Sequence, residues 1–418
     1  MRINSAGTNT PLFSDRMLSK PVFEQLPPLS LYIHFPWCVR KCPYCDFNSH
    51  EAGKGDIDEK SYIDALVRDI EFELPRVWGR RIISVFIGGG TPSLLSAMAV
   101  KRLAAVLSSH FILPPGIEIS LEANPGAVEA GRFSAYREAG VNRLSIGVQS
   151  FNDERLKALG RIHTALEARR AFDMALKAGF ENINIDLMYG LPGQSAADAR
   201  YDLDAATTCG VSHISRYQLT LEPNTVFYKH PPRLPAEDEC WTMQAQGDLL
   251  LQQRGFSQYE ISAYARNGRR CIHNLNYWEF GDYLGIGAGA HGKITDPKTG
   301  SITRYIRHRM PVSYMHKAGA YDVIIQEKKL TRSDILLEFM MNTMRLTDGV
   351  PVSLFRERTG LPVSIAESGL REAEQRGLIA REIHKLGATE LGRRYLNDLL
   401  QHFMEENGGK TTSGILKH

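Results

Sequence analysis

Short apolar runs alternate with amphipathic segments through the first half of the chain. Each run is followed by a turn and by a segment whose apolar positions recur every three to four residues, which is the spacing of one helix face. Several runs are apolar throughout, as is typical of parallel strands covered on both faces. The pattern predicts six strands, at Leu31–Phe35, Ile82–Ile87, Ile117–Leu121, Arg143–Val148, Ile183–Met188 and His213–Leu219.

The segments between these runs predict helices that end at glycines or short polar turns. Alternating strands and helices indicate parallel β/α units with right-handed crossovers. This pattern fits both an open doubly wound sheet and a curved, barrel-like sheet. In either case, we expect the loops after the C-terminal strand ends to carry the chemistry. The predicted helices are Glu59–Leu74, Leu94–Ser109, Glu129–Ala139, Thr164–Ala178 and Ala196–Thr208.

A different pattern follows Leu221. A Pro-rich connection precedes one more predicted helix, Asp238–Arg254, and a stretch dense in aromatic residues and glycine. Helical segments then dominate, at Ser333–Met344, Val352–Thr359, Ala366–Arg376 and Thr389–Met404, with a short hairpin strand at Leu378–Ile383. We predict five regions: a flexible extension (1–28), a core (29–292), a connecting segment (293–325), a small helical domain (326–405) and a flexible tail (406–418).

Composition places the chain among soluble globular proteins. It has 418 residues, of which 43% are hydrophobic and 23% are charged. The net charge of +3 is too small to indicate nucleic acid or an anionic membrane as the main partner. No apolar run approaches the roughly 18 residues that span a bilayer, and the polar, Pro-containing N-terminus lacks the apolar core of a secretory signal. We therefore expect a cytoplasmic protein.

Three of the six cysteines form a C-x3-C-x2-C cluster, Cys38, Cys42 and Cys45, directly after the first predicted strand. The other three are scattered, so the spacing does not indicate a disulfide framework. Clustered thiolates are typical metal ligands. An iron–sulfur cubane usually takes four of them, so three would leave one iron open to bind a ligand. Structural zinc, with His34 or His50 as the fourth ligand, is the alternative.

The segment from Tyr32 to Asp46 resembles the signature of the radical S-adenosylmethionine (SAM) superfamily. The resemblance implies that Cys38, Cys42 and Cys45 hold a [4Fe–4S] cluster, and that SAM chelates the fourth iron and is cleaved to a 5′-deoxyadenosyl radical. It also implies an α/β fold, a partial (β/α)6 barrel with a small, mostly helical C-terminal domain. That expectation chooses the curved sheet over the open one.

Further positions match the superfamily in the expected order. Glycines that follow a strand let backbone approach a ligand closely. Taken alone, Glu122 would be an exposed carboxylate at a strand end and Arg161 a surface ion-pair residue. Together with the other matches, they resemble SAM-binding positions. The residues implied to contact SAM are Tyr32, Gly89, Gly90, Thr91, Glu122, Gln149, Arg161 and Asp186.

Within the superfamily, the chain is most similar to the HemW haem chaperones, over residues 29–397. Coproporphyrinogen III oxidases carry a fourth cysteine where this chain has Phe47, so decarboxylase activity is in doubt. The segment from His273 to Trp278 resembles the H-N-x-x-Y-W motif of the haem-binding members. Imidazole can ligate haem iron, and aromatic rings offer flat apolar contact. By themselves, such residues are more often structural. The resemblance implies haem contacts from His273, Asn274, Tyr277 and Trp278.

These matches imply a haem chaperone that takes haem as cargo and delivers it to membrane respiratory enzymes. Bacterioferritin-like donors, a homodimer and transient membrane association are compatible partners. The alternatives are an oxygen-independent coproporphyrinogen III oxidase and a zinc-stabilised barrel without radical chemistry. The Gly-rich loop Gly285–Gly292 lacks the spacing and the ribose-binding acid of a dinucleotide fingerprint, so we exclude an NAD site.

Overall fold

The computed structural model describes residues 21–53, 57–126, 130–266, 268–296 and 298–404. The described strands are β1 (Leu29–Phe35), β2 (Trp37–Cys38), β3 (His50–Glu51), β4 (Ile82–Gly89), β5 (Glu118–Ala123), β6 (Arg143–Gln149), β7 (Asn182–Tyr189), β8 (His213–Gln218), β9 (Ser257–Glu260), β10 (Ala263–Ala265), β11 (Asp282–Ile286), β12 (His291–Asp296), β13 (Ser301–Arg307), β14 (Ile324–Lys329), β15 (Val350–Pro351), β16 (Ile379–Arg381) and β17 (Lys385–Ala388).

Helices connect the strands of the barrel and build most of the C-terminal region. They are α1 (Glu59–Val77), α2 (Ala97–His110), α3 (Phe133–Glu138), α4 (Asp153–Ala158), α5 (Ala165–Lys177), α6 (Ala196–Thr207), α7 (Val226–Lys229), α8 (Glu237–Gln253), α9 (Ile272–Trp278), α10 (Pro311–Lys317), α11 (Arg332–Thr343), α12 (Val352–Thr359), α13 (Glu367–Gln375), α14 (Glu390–Arg394) and α15 (Leu396–Gln401). Within the described residues, no helix is both long and apolar enough to cross a lipid bilayer.

The six predicted strands are confirmed as β1, β4, β5, β6, β7 and β8, which lie side by side in that order and pair in parallel. Helices α1 to α6 make the crossovers, so the architecture is a partial (β/α)6 barrel. In the part of the chain that the structure describes, the sheet has two free ends, at β14 and β9. The C-terminal strand ends gather the Cys loop, the glycine run and Glu122 on one rim.

Accessory strands extend the sheet beyond β1, a feature that the sequence pattern did not predict. Strand β11 pairs in parallel with β1, and β12, β13 and β14 follow as an antiparallel meander. Strand β13 lies within the predicted connecting segment, 293–325, and β12 and β14 overlap its two ends. Charged residues interrupt their apolar pattern: Arg307 is fully buried and pairs with Asp69 at 2.7 Å and Glu73 at 3.0 Å on α1. The Gly-rich loop forms the β11–β12 turn.

A second hydrophobic core holds the C-terminal region together. Its members include Phe280, Phe339 and Phe355, and a small sheet in the order β15–β17–β16 packs beside the helices. The predicted last helix is broken at Tyr395 into α14 and α15. The predicted hairpin strand is confirmed as β16, with β17 as its partner.

The predicted N-terminal extension (1–28) lies only partly within the described residues, and the predicted tail (406–418) lies wholly outside them. Residues 1–20 and 405–418 are outside them. The segment that begins at residue 21 is bonded to both parts of the molecule. The backbone nitrogen of Val22 donates to the Gly360 carbonyl of the C-terminal region at 3.0 Å, and Arg80 of the barrel donates to the Pro27 carbonyl at 2.6 Å. This segment therefore ties the C-terminal region to the barrel.

Candidate functional site

The loop that carries the three cysteines is closed on itself by local hydrogen bonds. Strand β2, which ends at Cys38, pairs in parallel with β3, so the two ends of the loop lie together. Inside the loop, the nitrogen of Cys45 donates to the carbonyl of Cys42 at 3.1 Å. The ammonium of Lys41 donates to the carbonyls of Phe47 at 3.0 Å and Ser49 at 3.1 Å. These bonds present three half-buried, unbridged cysteines on one side.

Each cysteine sulfur has a polar neighbour. The Thr91 hydroxyl donates to Sγ of Cys38 at 3.3 Å, and Nη1 of Arg161 lies 3.7 Å from Sγ of Cys42. Sγ of Cys45 lies 3.9 Å from the Ser49 hydroxyl. Burial raises the pKa of Cys38 and of Cys45, so binding a metal to their thiolates must release protons. A set of three thiols with hydrogen-bond donors fits the ligand set of an iron–sulfur cluster.

The structure gives no support to the zinc alternative. Nε2 of His34 bonds the Asn48 carbonyl at 2.9 Å and its Nδ1 bonds the Tyr32 hydroxyl at 2.9 Å, while Nε2 of His50 bonds the Arg309 carbonyl at 3.2 Å. Both histidines are therefore turned to other partners. Across the described ranges, no three His, Cys, Asp or Glu side chains lie close enough together to hold one metal ion.

The glycine run after β4 packs against the chain's own backbone. A Cβ on Gly89, whose φ is +114°, would lie 2.5 Å from Cε1 of His34, and a Cβ on Gly90 would lie 2.5 Å from the Trp37 carbonyl. The nitrogen of Gly89 donates to Oε2 of Glu122 at 3.0 Å. The glycines are thus required to seat β4 against β1 beside the Cys loop, in addition to any approach of a ligand.

Arg161 stands in a cavity of about 130 Å³ that Cys42 and Asn124 also line. Its Nη2 donates to Asn124 Oδ1 and to the Gly147 carbonyl, both at 2.7 Å. Its Nε is buried without a hydrogen-bond partner among the described residues. A buried guanidinium is costly unless it is paired, so this cavity fits a ligand that brings its own carboxylate.

Gln149 ends β6 with a left-handed backbone, at a φ of +71°. Such a conformation is strained for a residue other than glycine and persists where its surroundings fix it. The buried carboxylate of Asp202 supplies that support, because it accepts from the nitrogen of Phe151 at 2.6 Å and from the Ser150 hydroxyl at 2.9 Å. Gln149 therefore has a fixed backbone beside Gly147, the neighbour of Arg161.

A second cavity, of about 170 Å³, lies inside the barrel and is strongly polar. Burial raises the pKa of Glu122 to about 8 and also raises that of Asp186, whose carboxylate accepts from Ser145 at 2.9 Å. The cavity brings together residues predicted for SAM and for haem. Its lining is Tyr32, Phe86, Glu122, Arg143, Ser145, Asn184, Asp186, Ser215, Tyr217, His273, Asn274 and Tyr277.

Sequence reasoning missed Arg143, Asn184 and Tyr217 as members of this cavity. The available signal was a polar residue within an otherwise apolar strand: Arg143 begins β6 and Asn184 lies in β7. Such residues are expected to face a polar interior, since burial without partners is unfavourable.

His273 is buried and both of its ring nitrogens are engaged. Nδ1 bonds the Ser84 hydroxyl and Nε2 bonds the Tyr277 hydroxyl, each at 3.0 Å, and burial lowers the pKa of the imidazole to about 3. Trp278 lies outside the cavity, where the guanidinium of Arg345 sits 4.3 Å from its ring. The predicted haem motif is therefore divided between two environments, and its contact with haem stays a prediction.

Comparison with known proteins identifies the family. The model of the radical SAM superfamily matches residues 32–206, and the model of the HemN C-terminal domain matches residues 330–395. The haem chaperone HemW of Haemophilus influenzae is 48% identical over 386 residues, which cover 91% of this chain and 99% of that protein. This chain belongs to the HemW family. The HemW protein of Escherichia coli K12 is 47% identical, over 91% of this chain and all (100%) of its own length.

Membership of the radical SAM superfamily implies a [4Fe–4S] cluster and SAM. Among solved structures, the coproporphyrinogen III oxidase HemN of E. coli superposes with a TM-score of 0.77, at 23% identity over 91% of each chain. This likeness shows the fold alone, and it confirms the predicted radical SAM barrel with a helical C-terminal region. At the position of the fourth cysteine expected for an oxidase, this HemW member exposes Phe47, whose relative accessibility is 61%.

Proposed function

We propose that this protein is a haem chaperone that binds haem as cargo and delivers it to respiratory enzymes, with a [4Fe–4S] cluster and SAM as cofactors. The observation that carries the proposal is the three-cysteine loop, followed by Phe47, in a chain similar to HemW proteins over nine-tenths of its length. We place the protein in the cytoplasm, with transient membrane contact during delivery and a homodimer as its assembly.

Cys38, Cys42 and Cys45 would hold the cluster, since three thiols on one loop leave one iron for SAM. When bound, the cluster and SAM supply one-electron cleavage of the sulfonium. The unpartnered Nε of Arg161 supports a role in binding the SAM carboxylate. The remaining proposed SAM contacts lie along the same rim and in the inner cavity: Tyr32, Gly89, Gly90, Thr91, Glu122, Gln149 and Asp186.

Phe47 supports chaperone function over oxidative decarboxylation of coproporphyrinogen III. A phenyl ring cannot replace a thiol as a hydrogen-atom donor or iron ligand, so an oxidase would lack that group here. The proposed haem contacts His273, Asn274, Tyr277 and Trp278 belong to the same hypothesis. Because His273 is buried and bonded on both nitrogens, ligation of haem iron there requires one of these two hydrogen bonds to break.

Titration of the full chain with ferric haem tests this function. Anaerobic reconstitution should give about four iron and four sulfide per chain. We expect the reconstituted protein to bind haem with a shifted Soret band, and to pass it to a haem-depleted respiratory enzyme. Reconstituted protein that binds no haem, with or without SAM, would contradict the proposal.

A further inference from the structure

The polar cavity inside the barrel is too small to be the first binding site of a porphyrin. Its volume of about 170 Å³ lies below the roughly 300–1,000 Å³ of pockets for drug-sized ligands, and haem is at least as large as such ligands. The imidazole of His273 is also occupied on both sides. Haem that arrives from solution therefore needs a surface with its own contacts.

One exposed surface beside the cysteine loop has the required side chains. The amide of Asn48 donates to the Arg309 carbonyl at 2.9 Å, and Nε2 of His50 bonds the same oxygen at 3.2 Å. These bonds hold residues 308–310 against the segment that follows Cys45. The residues adjacent in sequence to this contact include two exposed apolar side chains: Phe47 is 61% accessible and Met310 is 55% accessible. We name Phe47, His308, Arg309 and Met310 the loop-side surface.

His308 is the potential iron ligand on the loop-side surface. Its backbone is fixed, because its nitrogen donates to Val323 at 3.0 Å and its carbonyl accepts from Gly289 at 2.8 Å. Its side chain is half-buried, and within the described residues no hydrogen bond engages the imidazole. An imidazole on a fixed backbone, with no hydrogen bond to either ring nitrogen from the described residues, is a suitable axial ligand for haem iron.

The neighbouring side chains match the rest of the haem molecule. A phenyl ring and a thioether offer flat, adaptable apolar contact for the macrocycle. The exposed guanidinium of Arg309 offers a charged partner for a propionate, which it can bind through two hydrogen bonds. Residues 308–310 and the segment after Cys45 to which they are bonded thus supply three kinds of contact. These are an axial ligand, an apolar surface and a cation.

We propose that haem binds at the loop-side surface, with His308 as axial ligand, Phe47 and Met310 against the macrocycle, and Arg309 on a propionate. This inference rests on the proposed haem-chaperone function and gives that function a place on the molecule. It puts the cargo at the rim of the barrel, beside the cysteine loop, and assigns a second role to the phenyl ring at position 47.

Titration of the anaerobically reconstituted full chain with ferric haem, followed by absorption spectroscopy, tests the site. We expect His308→Ala to weaken haem binding at least tenfold and to move the Soret maximum, and Met310→Ala to weaken it several-fold. Matched controls are His316→Ala and Met98→Ala, which alter exposed side chains of the same types on α10 and α2. Iron content and the cluster absorption verify that each variant is folded and loaded.

The outcomes separate this inference from the function on which it rests. If the wild type binds haem and His308→Ala and Met310→Ala bind it equally well, the loop-side surface is not the site, while the chaperone function stands. If His273→Ala alone abolishes haem binding, haem binds at α9 and the loop-side surface is not the site. If the wild type binds no haem, the chaperone function fails as well.

Discussion

Nη1 of Arg161 lies 3.7 Å from Sγ of Cys42, while Nη2 of the same guanidinium bonds Asn124 and the Gly147 carbonyl. One side chain therefore lies against a proposed cluster ligand and lines the cavity, where its Nε has no hydrogen-bond partner among the residues that the structure describes. A single guanidinium can thus lie against a cluster ligand and attract a carboxylate ligand at the same time.

Replacing Arg161 with lysine should weaken SAM binding while leaving the cluster in place. Lysine keeps the charge but loses the planar fork and the Nε donor, so we expect a roughly ten- to hundredfold higher Kd for SAM. Equilibrium binding of SAM to reconstituted protein measures the effect. Arg170→Lys, an exposed position on α5, is the matched control and should bind SAM like the wild type. Equal affinity of the two variants would remove Arg161 from the site.

Cys42→Ser should lose the cluster. An alkoxide is a poorer ligand for iron than a thiolate, so we expect iron and sulfide to fall from about four per chain to nearly none. Cys209→Ser is the control, because Cys209 is half-buried just after α6 and its thiol bonds the Ala205 carbonyl at 3.3 Å. Retention of a full cluster in Cys42→Ser would refute the assignment of the ligands.

The phenyl ring at position 47 predicts a negative result. Reconstituted protein given SAM and a low-potential reductant should not convert coproporphyrinogen III to protoporphyrinogen IX. Product formation is followed by porphyrin fluorescence after oxidation, with an authentic coproporphyrinogen III oxidase as the positive control. Sustained turnover by this protein would move the assignment to the oxidase alternative.

Gly89→Ala should destabilise the protein by more than about 3 kcal/mol. The new methyl group would meet His34 at 2.5 Å and would also hold a φ of +114°, so a clash adds to backbone strain. Gly79→Ala separates the two effects, because Gly79 has a φ of +76° and nothing lies within 4 Å of the position that its Cβ would take. That control should cost only about 1–2 kcal/mol. Equal losses in denaturant unfolding would show that packing against His34 is unimportant.

Asp202 should give the stability a pH dependence. Burial raises the pKa of this carboxyl to about 6 in the folded chain, against an ordinary value near 4 when it is unfolded. The folded state therefore keeps a proton that the unfolded state releases. The contribution of the group is complete below about pH 4 and is lost as the pH rises through 6, by roughly 2–3 kcal/mol.

Unfolding in guanidinium chloride between pH 4 and pH 8 measures this contribution. The stability difference between wild type and Asp202→Asn should shift against the wild type over the interval from about pH 4 to pH 6 and then level off. Asp204→Asn provides the comparison, since Asp204 is half-buried on the same helix and pairs with Arg254 at 2.8 Å. A difference that stays constant with pH would show that Asp202 is not protonated in the folded chain.

The barrel strands could be predicted because several of them are largely apolar runs, as is typical of parallel strands covered on both faces. The accessory strands could not, since β13 carries Arg304 and Arg307, which are compensated by partners far away in sequence. Arg304 pairs with Glu338 on α11, and the spacing of apolar residues along the sequence does not reveal such ion pairs. Sequence patterns therefore predict the strands that are specified by neighbouring apolar residues. They miss the strands that depend on ion pairs between residues distant in sequence.

The candidate site shows the same division. The cysteine spacing and the glycine run are local patterns that the sequence displays directly. The sequence did not show that a side chain at Gly90 would also meet the Trp37 carbonyl, at 2.5 Å. The burial of His273 could not be read from its motif, since the Ser84 hydroxyl that bonds it lies 189 residues away.

The bonds from Asn48 and His50 to the Arg309 carbonyl join parts of the chain that are 261 and 259 residues apart. A nascent polypeptide that has not yet been translated to this point contains all three cysteines but lacks the carbonyl that steadies the end of their loop. The loop therefore attains its full set of supporting bonds only late in synthesis. Iron loaded earlier would meet a cysteine loop that lacks these two bonds.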